Sequence, residues 1–213
     1  TMTDHYYSKG KQKMPNKNLA VQFPYGLSNF DKIIRENYFY CDRTDKIPTL
    51  ESAGHSLLFL RPRRFGKSLL LSMLATYYDI AKADSFDKLF GNLLIGQNPT
   101  KLHNSYFILK WDFSRVNPLG NEKDIKKSLY NRINKSIELF RMYYRDYLSA
   151  EIVINQEDAL DSIESLTNSV RMSDYSVYLL IDEYDNFANE VMMSTNGNPS
   201  NYEALVYGDG LLK

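Results

Sequence analysis

The junction between residues 55 and 80 constrains the fold more than any other part of the chain. A compact apolar run, Ser56-Leu57-Leu58-Phe59-Leu60, gives way to Arg61-Pro62-Arg63-Arg64-Phe65-Gly66-Lys67-Ser68. Leu70, Leu71, Leu74, Tyr77 and Tyr78 then follow at three- and four-residue spacings. The stretch His55–Leu60 predicts a buried strand, and Lys67–Ile80 predicts a helix with an apolar face.

The same two kinds of pattern recur downstream. Tyr106–Phe113 and Val177–Ile181 read as buried strands, and roughly 122–148 and 156–171 as long helices. Strands alternating with helices predict an α/β architecture with a parallel sheet. Upstream, Ser28-Asn29-Phe30-Asp31 has the hydroxyl-then-acid pattern of a helix start, Tyr38–Tyr40 suits a short strand, and Thr44 suits a cap for a helix over Lys46–Ser52 with Pro48 near its start. Residues 1–20 lack an apolar period and read as a flexible lead-in, followed by one domain over 21–213. The Asn196–Ser200 stretch reads as a loop and Tyr202–Leu212 as the opening of a last helix.

The loop itself has the second half of the pattern Gly-x-x-x-x-Gly-Lys-Ser/Thr, with Arg61 where the first glycine belongs. Each remaining residue type has a chemical use. Gly66 lets backbone approach a phosphate, and Lys67 brings an ammonium to the β- and γ-phosphates. Ser68 offers a hydroxyl to Mg²⁺, while the helix start through Leu69 points unpaired N–H groups at the anion. Arg63, Arg64 and Phe65 complete the expected nucleotide-binding set. The arginines at 61, 63 and 64 suit phosphates, acids on a neighbouring segment or, least of these in a chain of zero net charge, nucleic acid.

The second candidate element is Val177-Tyr178-Leu179-Leu180-Ile181-Asp182-Glu183, an apolar strand ending in two carboxylates. Ligands of parallel sheets sit beyond the carboxyl ends of the strands. There Asp182 is placed to join Ser68 in holding the metal, and Glu183 to act as the general base toward water, with Lys67 as its catalytic partner on the phosphates. Asp112 and Asp185 are candidates for supporting acids or for solvated loop charges. His5, His55, His103 and Cys41 have no metal-ligand spacing. Asn134-Lys135-Ser136 is followed by Ile137 instead of Asp, so guanine selectivity has no support and ATP is the expected nucleotide.

Composition narrows the partners. Lys and Arg number 26 against 26 Asp and Glu, so no global field favours nucleic acid or an acidic membrane. No apolar stretch approaches the ~18 residues of a membrane-spanning helix. A single cysteine excludes an internal disulfide and suits a reducing cytoplasm.

Pro24, Gly26, Phe30, Tyr40 and Asp42-Arg43-Thr44, then Arg61–Ser68, then Leu180-Ile181-Asp182-Glu183-Tyr184-Asp185 together resemble the predicted AAA-ATPase-like family. That family has Arg-Pro-Arg-Arg-Phe-Gly-Lys-Ser/Thr as its loop and usually Lys at the position of Arg43. The resemblance implies a P-loop NTPase, a three-layer α/β/α domain with a parallel sheet, that binds ATP and Mg²⁺ and hydrolyses ATP in the full-length protein. A nucleotide-dependent binding or switch module with little turnover is the alternative, and a small-molecule kinase a weaker one. The resemblance also implies a fourth core strand between the loop strand and the acidic strand. None is found before Lys213, so the 213 residues are expected to be the N-terminal part of a longer protein. They would be a poor ATPase alone. Relatives often continue into a nuclease-like domain, and some form homo-oligomers; neither partner has a counterpart motif in this stretch.

Overall fold

The computed structural model describes residues 21–60, 62, 64–117 and 122–184. The lead-in 1–20 with His5, Arg61, Arg63, Asp185, the loop at 196–200 and the closing helix at 202–212 lie outside the described residues. In chain order the elements are α1 (Phe30–Arg35), α2 (Ile47–Ser52), α3 (Lys67–Tyr78), α4 (Phe86–Phe90), α5 (Leu94–Gln97), β1 (Tyr106–Asp112), α6 (Glu122–Tyr143), α7 (Ala159–Arg171) and β2 (Ser176–Asp182). The fold is α/β. β1 and β2 pair in parallel, in register from Tyr106 opposite Ser176 to Asp112 opposite Asp182.

Strand alternation gives the sheet two apolar faces. Phe107 and Leu109, with Trp111 and Val177, pack against α6 and α7 through Leu129, Ile133, Phe140, Tyr144 and Leu166. Tyr106, Ile108 and Tyr178 face the other way, onto a core of Phe30, Met73, Leu74, Tyr77, Tyr78 and Phe90. Helices therefore cover both faces. α3 enters from the surface: its first residues are half-exposed, whereas Met73 to Tyr78 are buried on every side. The fully buried Tyr77 hydroxyl is accommodated by accepting the Thr100 N–H at 2.8 Å.

Asp42 and Thr44 form a clasp. Asp42 Oδ1 accepts the Thr44 N–H and hydroxyl at 2.9 and 2.7 Å, and its Oδ2 accepts the Leu94 N–H at 2.7 Å. Thr44 Oγ1, fully buried, accepts the Ile95 N–H at 3.1 Å. Two side chains thus satisfy the backbone at the start of α5 and fix it to the loop before α2. Arg43 between them is exposed. Nearby, Asp31 on α1 is bonded by Arg35 and, at 3.1 Å, by Lys82. Burial raises its pKa, but the two cations outweigh burial and hold the carboxyl below the usual range.

The largest correction concerns His55–Leu60. The segment is not a strand, and its side chains are exposed, Leu58 by 78% and Leu60 by 75%. Apolar content cannot make a strand without a ladder partner, and among the described residues the sheet is β1 and β2 alone. One edge of β1 is already occupied: Asp79 bridges to Tyr106, and the Ile108 N–H donates to the Tyr144 hydroxyl at 2.9 Å. Among the described residues, no strand pairs with the far edge of β2.

Smaller differences follow the same logic. Tyr38–Tyr40 is irregular, with Tyr40 set edge-on to Phe30 at 5.3 Å instead of in a sheet. α1 is capped by Asn29, which accepts the Lys32 N–H at 2.9 Å, in place of Ser28. Thr44 opens a 3₁₀ turn ahead of α2 and is spent on the clasp. α6 stops at Tyr143, five residues early, and α7 starts at Ala159, where the Asp158 carboxylate accepts the Leu160 N–H.

Asp79 is the buried carboxylate that ties these parts together. It accepts the Tyr144 hydroxyl at 2.8 Å, the Tyr143 hydroxyl at 3.0 Å and the Ala81 N–H at 3.0 Å. Tyr144→Phe removes one donor from a buried acid and the acceptor of the Ile108 N–H. We expect it to cost about 2 kcal/mol in urea unfolding. A cost below a few tenths would mean that water replaces the hydroxyl without loss.

Candidate functional site

Gly66 is the N-cap of α3 and sits in the left-handed region, φ +79° and ψ +19°. Among the described residues, nothing beyond the chain neighbours lies within 4 Å of the position a β-carbon would take there. The cap contributes no side-chain hydrogen bond to the first turn. Its carbonyl starts the helical ladder by accepting the Leu70 N–H at 2.9 Å. The first-turn N–H groups, including those of Ser68 and Leu69, therefore precede any helical acceptor of their own and face outward with the positive end of the helix dipole. This is a geometry suited to an anion.

The approach to Gly66 is equally tight. Arg64 has φ +66°, unusual for a residue with a β-carbon, and the Phe65 N–H closes a turn onto the Pro62 carbonyl at 3.4 Å. Arg64 and Phe65 are exposed, whereas Lys67 and Ser68 are half-buried. Of the sequence-predicted loop residues, Arg63 lies outside the described residues.

Asp182 ends β2 in register with Asp112 on β1. Alternation puts it on the face of Tyr178 and Leu180, which is the face that α3 covers. Tyr178 stacks on Tyr78, the last residue of α3, with ring centroids 4.7 Å apart. The two predicted halves of the site thus belong to elements packed on one another. No hydrogen bond or ion pair joins Ser68 to Asp182 among the described residues. Asp182 Oδ1 instead accepts the Glu183 N–H at 3.0 Å.

Glu183 has φ +59°, a conformation that costs a side-chain-bearing residue roughly 1 kcal/mol or more. The turn re-aims the chain immediately after Asp182, so the two adjacent carboxylates do not simply alternate across a continuing strand. This strain was not legible in the Asp-Glu pair. Lys110 was also missed. The register places it opposite Leu180, on the face shared with Asp182. The side chain is exposed, yet desolvation around its ammonium lowers the pKa against the attraction of Asp79 and Asp182. A lysine interrupting the apolar run of β1, in phase with the strand-end acid Asp112, is the signal that identifies it.

The remaining candidates are engaged elsewhere. Asp112 accepts the Ser114 N–H at 3.0 Å and meets Arg132 at 3.3 Å, and the Arg132 Nε–H donates to the Asp112 carbonyl at 2.9 Å. His103 Nδ1 lies 2.6 Å from the Thr100 carbonyl, and its ring packs on Phe86 at 4.7 Å. His55 and Cys41 are exposed. Among the described residues, no cluster of three or more His, Cys, Asp or Glu side chains is placed to hold a metal, and no helix is long and apolar enough to cross a membrane. A Mg²⁺ ion at this site would need phosphate oxygens and water to complete its shell, which suits a donor set of one hydroxyl and one carboxylate.

In comparison with known proteins, the family model described as Predicted AAA-ATPase matches residues 24–205. Neither a curated protein nor a solved structure matches the chain.

Because no described residue crowds the β-carbon position at Gly66, Gly66→Ala meets no clash and suffers only the left-handed backbone. Chemical denaturation should register a loss of about 1 kcal/mol. A loss above about 3 kcal/mol would instead reveal that the glycine is packed against a neighbour.

Proposed function

The chain belongs to the predicted AAA-ATPase family, and on that premise we propose that it binds Mg-ATP at the start of α3 and that its site is built for ATP hydrolysis. What carries the proposal is the relation between two elements. A helix opened by a left-handed glycine packs on the sheet face that ends in Asp182.

In this reading the first-turn amides of α3 and the Lys67 ammonium bind the β- and γ-phosphates. Their positive potential favours the charge that builds on the leaving and transferring oxygens. Arg64 and Phe65 form the outer wall of the cradle, with Gly66 admitting a phosphate close to the backbone. Mg²⁺, when bound, would neutralise the triphosphate and orient its terminal group. Ser68 and Asp182 are the side chains that would hold it. Glu183, turned by its positive φ, orients a water and accepts its proton as the water attacks the γ-phosphorus. Lys110, on the same face as Asp182, keeps a cation near that carboxylate.

P-loop-like organisation also accounts for two otherwise odd features, the exposed apolar segment at 55–60 and, among the described residues, a β2 edge with no strand beside it. A further strand set between them would cover the apolar segment and extend the ladder beyond β2.

Two substitutions separate binding from chemistry. Lys67→Ala should weaken Mg-ATP binding roughly 10–100-fold by isothermal titration; unchanged affinity would exclude the loop. Glu183→Gln should preserve that affinity in the hydrolytically active protein while lowering turnover by about 10²–10⁴. Retained turnover would remove Glu183 as the base and favour a nucleotide-dependent switch that uses another residue.

A further inference from the structure

α6 and α7 lie side by side over one face of the sheet and share its core. Their solvent sides have opposite charge. From Lys123 to Lys135 the chain has five basic residues and one acid, whereas from Glu151 to Val170 it has five acids and no base. In a chain of zero net charge this is segregation, not excess. Lys123, Lys127 and Lys135 are exposed and lie a multiple of four residues apart, which makes one ridge along α6. On α7, Asp161 and Glu164 join Glu151 around an open cleft of about 350 Å³.

The two strips do not neutralise each other. Among the described residues no ion pair joins them: Lys135 reaches Glu138 on its own helix at 3.9 Å, and Arg132 turns to Asp112 on β1. Both strips also present uncovered apolar side chains, Leu139 and Met142 on α6 and Leu160 on α7. A solvated helix pair needs neither feature.

We propose that this face is an interface between two copies of the chain, related by a two-fold axis running between α6 and α7. Such an axis sets each basic ridge against the acidic cleft of the partner and makes both contacts at once, because adjoining strips of opposite charge are self-complementary under a two-fold. The cleft is large enough to receive lysine side chains, and the exposed leucines and methionine supply the apolar area that charge alone does not. A nucleic acid drawn to the ridge would be repelled by the acidic strip beside it, so a second copy fits the pattern better than a polyanion.

The test is sedimentation velocity over a concentration series, at about 50 mM and about 500 mM salt. The samples are the wild-type chain, Lys123→Glu/Lys127→Glu, Asp161→Lys/Glu164→Lys, and an equimolar mixture of the two variants. The wild type should dimerise, with its dissociation constant rising about tenfold or more at the higher salt. Each variant alone should be monomeric, and the mixture should dimerise, since every helix then again meets its opposite. Circular dichroism checks folding; if a charge reversal unfolds the chain, Lys123→Gln/Lys127→Gln gives the same readout by weakening the wild-type dimer. A wild type that stays monomeric, or a mixture that fails to pair, overturns the proposal. So does loss of duplex DNA binding by the lysine variant with self-association unchanged. No nucleotide enters the assay, so its result is independent of the ATP site.

Discussion

The packing of α3 against the sheet governs the rest of the molecule. Tyr78 at the end of α3 stacks on Tyr178 of β2 and meets Tyr106 of β1 edge-on at 5.7 Å, while Tyr106 and Tyr178 contact each other at 5.6 Å. Aromatic pairs of this kind contribute about 0.5–1.5 kcal/mol each beyond their buried area. They also fix placement. Two rings, one from each strand, hold the far end of α3 against the sheet face that also carries Asp182. The burial of α3 on every side from Met73 onward resists sliding, because any shift would uncover Tyr77 and Tyr78.

Polar groups serve this packing by satisfying what burial would strand. Tyr78 donates to Glu51 at 3.0 Å, and Thr100 donates to the same carboxylate oxygen at 2.7 Å, so α2 is tied to α3 through a shared acceptor. Ser72 accepts the Phe30 N–H at 3.0 Å and fixes α1 to the outer side of α3. On the far face, Asp79 and Tyr144 close the edge of β1. Buried polar groups of this sort stabilise only when all are bonded, which is why the tyrosines recur as donors in both cores.

Much of this was legible in the chain. β1 and β2 fall within a residue of the expected strands, because a buried strand between helices needs a run of apolar residues whichever neighbour it meets. The N-terminal boundary of α3 follows from Gly66-Lys67-Ser68, since a glycine ahead of an apolar period is both a cap and a stop for the preceding loop. What the sequence could not supply was pairing. Ser56–Leu60 has the composition of a buried strand, yet strand formation depends on a neighbour that local composition does not encode. The same holds for Tyr38–Tyr40, where aromatic side chains serve a helix core instead of a sheet. Within the candidate site, Gly66 was predictable from its neighbours; the left-handed turn at Glu183 and the approach of Lys110 to Asp182 depend on tertiary geometry. The capping by Asn29 in place of Ser28 reflects a one-residue choice between two good cap residues.

The central claim is that one cation is shared between a hydroxyl at the start of α3 and a carboxylate at the end of β2. A crystal structure of the protein grown with Mg²⁺ and a non-hydrolysable ATP analogue tests it most directly. The account predicts density for the β- and γ-phosphates on the first-turn amides of α3, with Ser68 Oγ and an Asp182 oxygen in the shell of a single Mg²⁺ ion. Phosphates bound away from Gly66, or a metal whose shell includes only one of these two residues and no water bridging to the other, would contradict it.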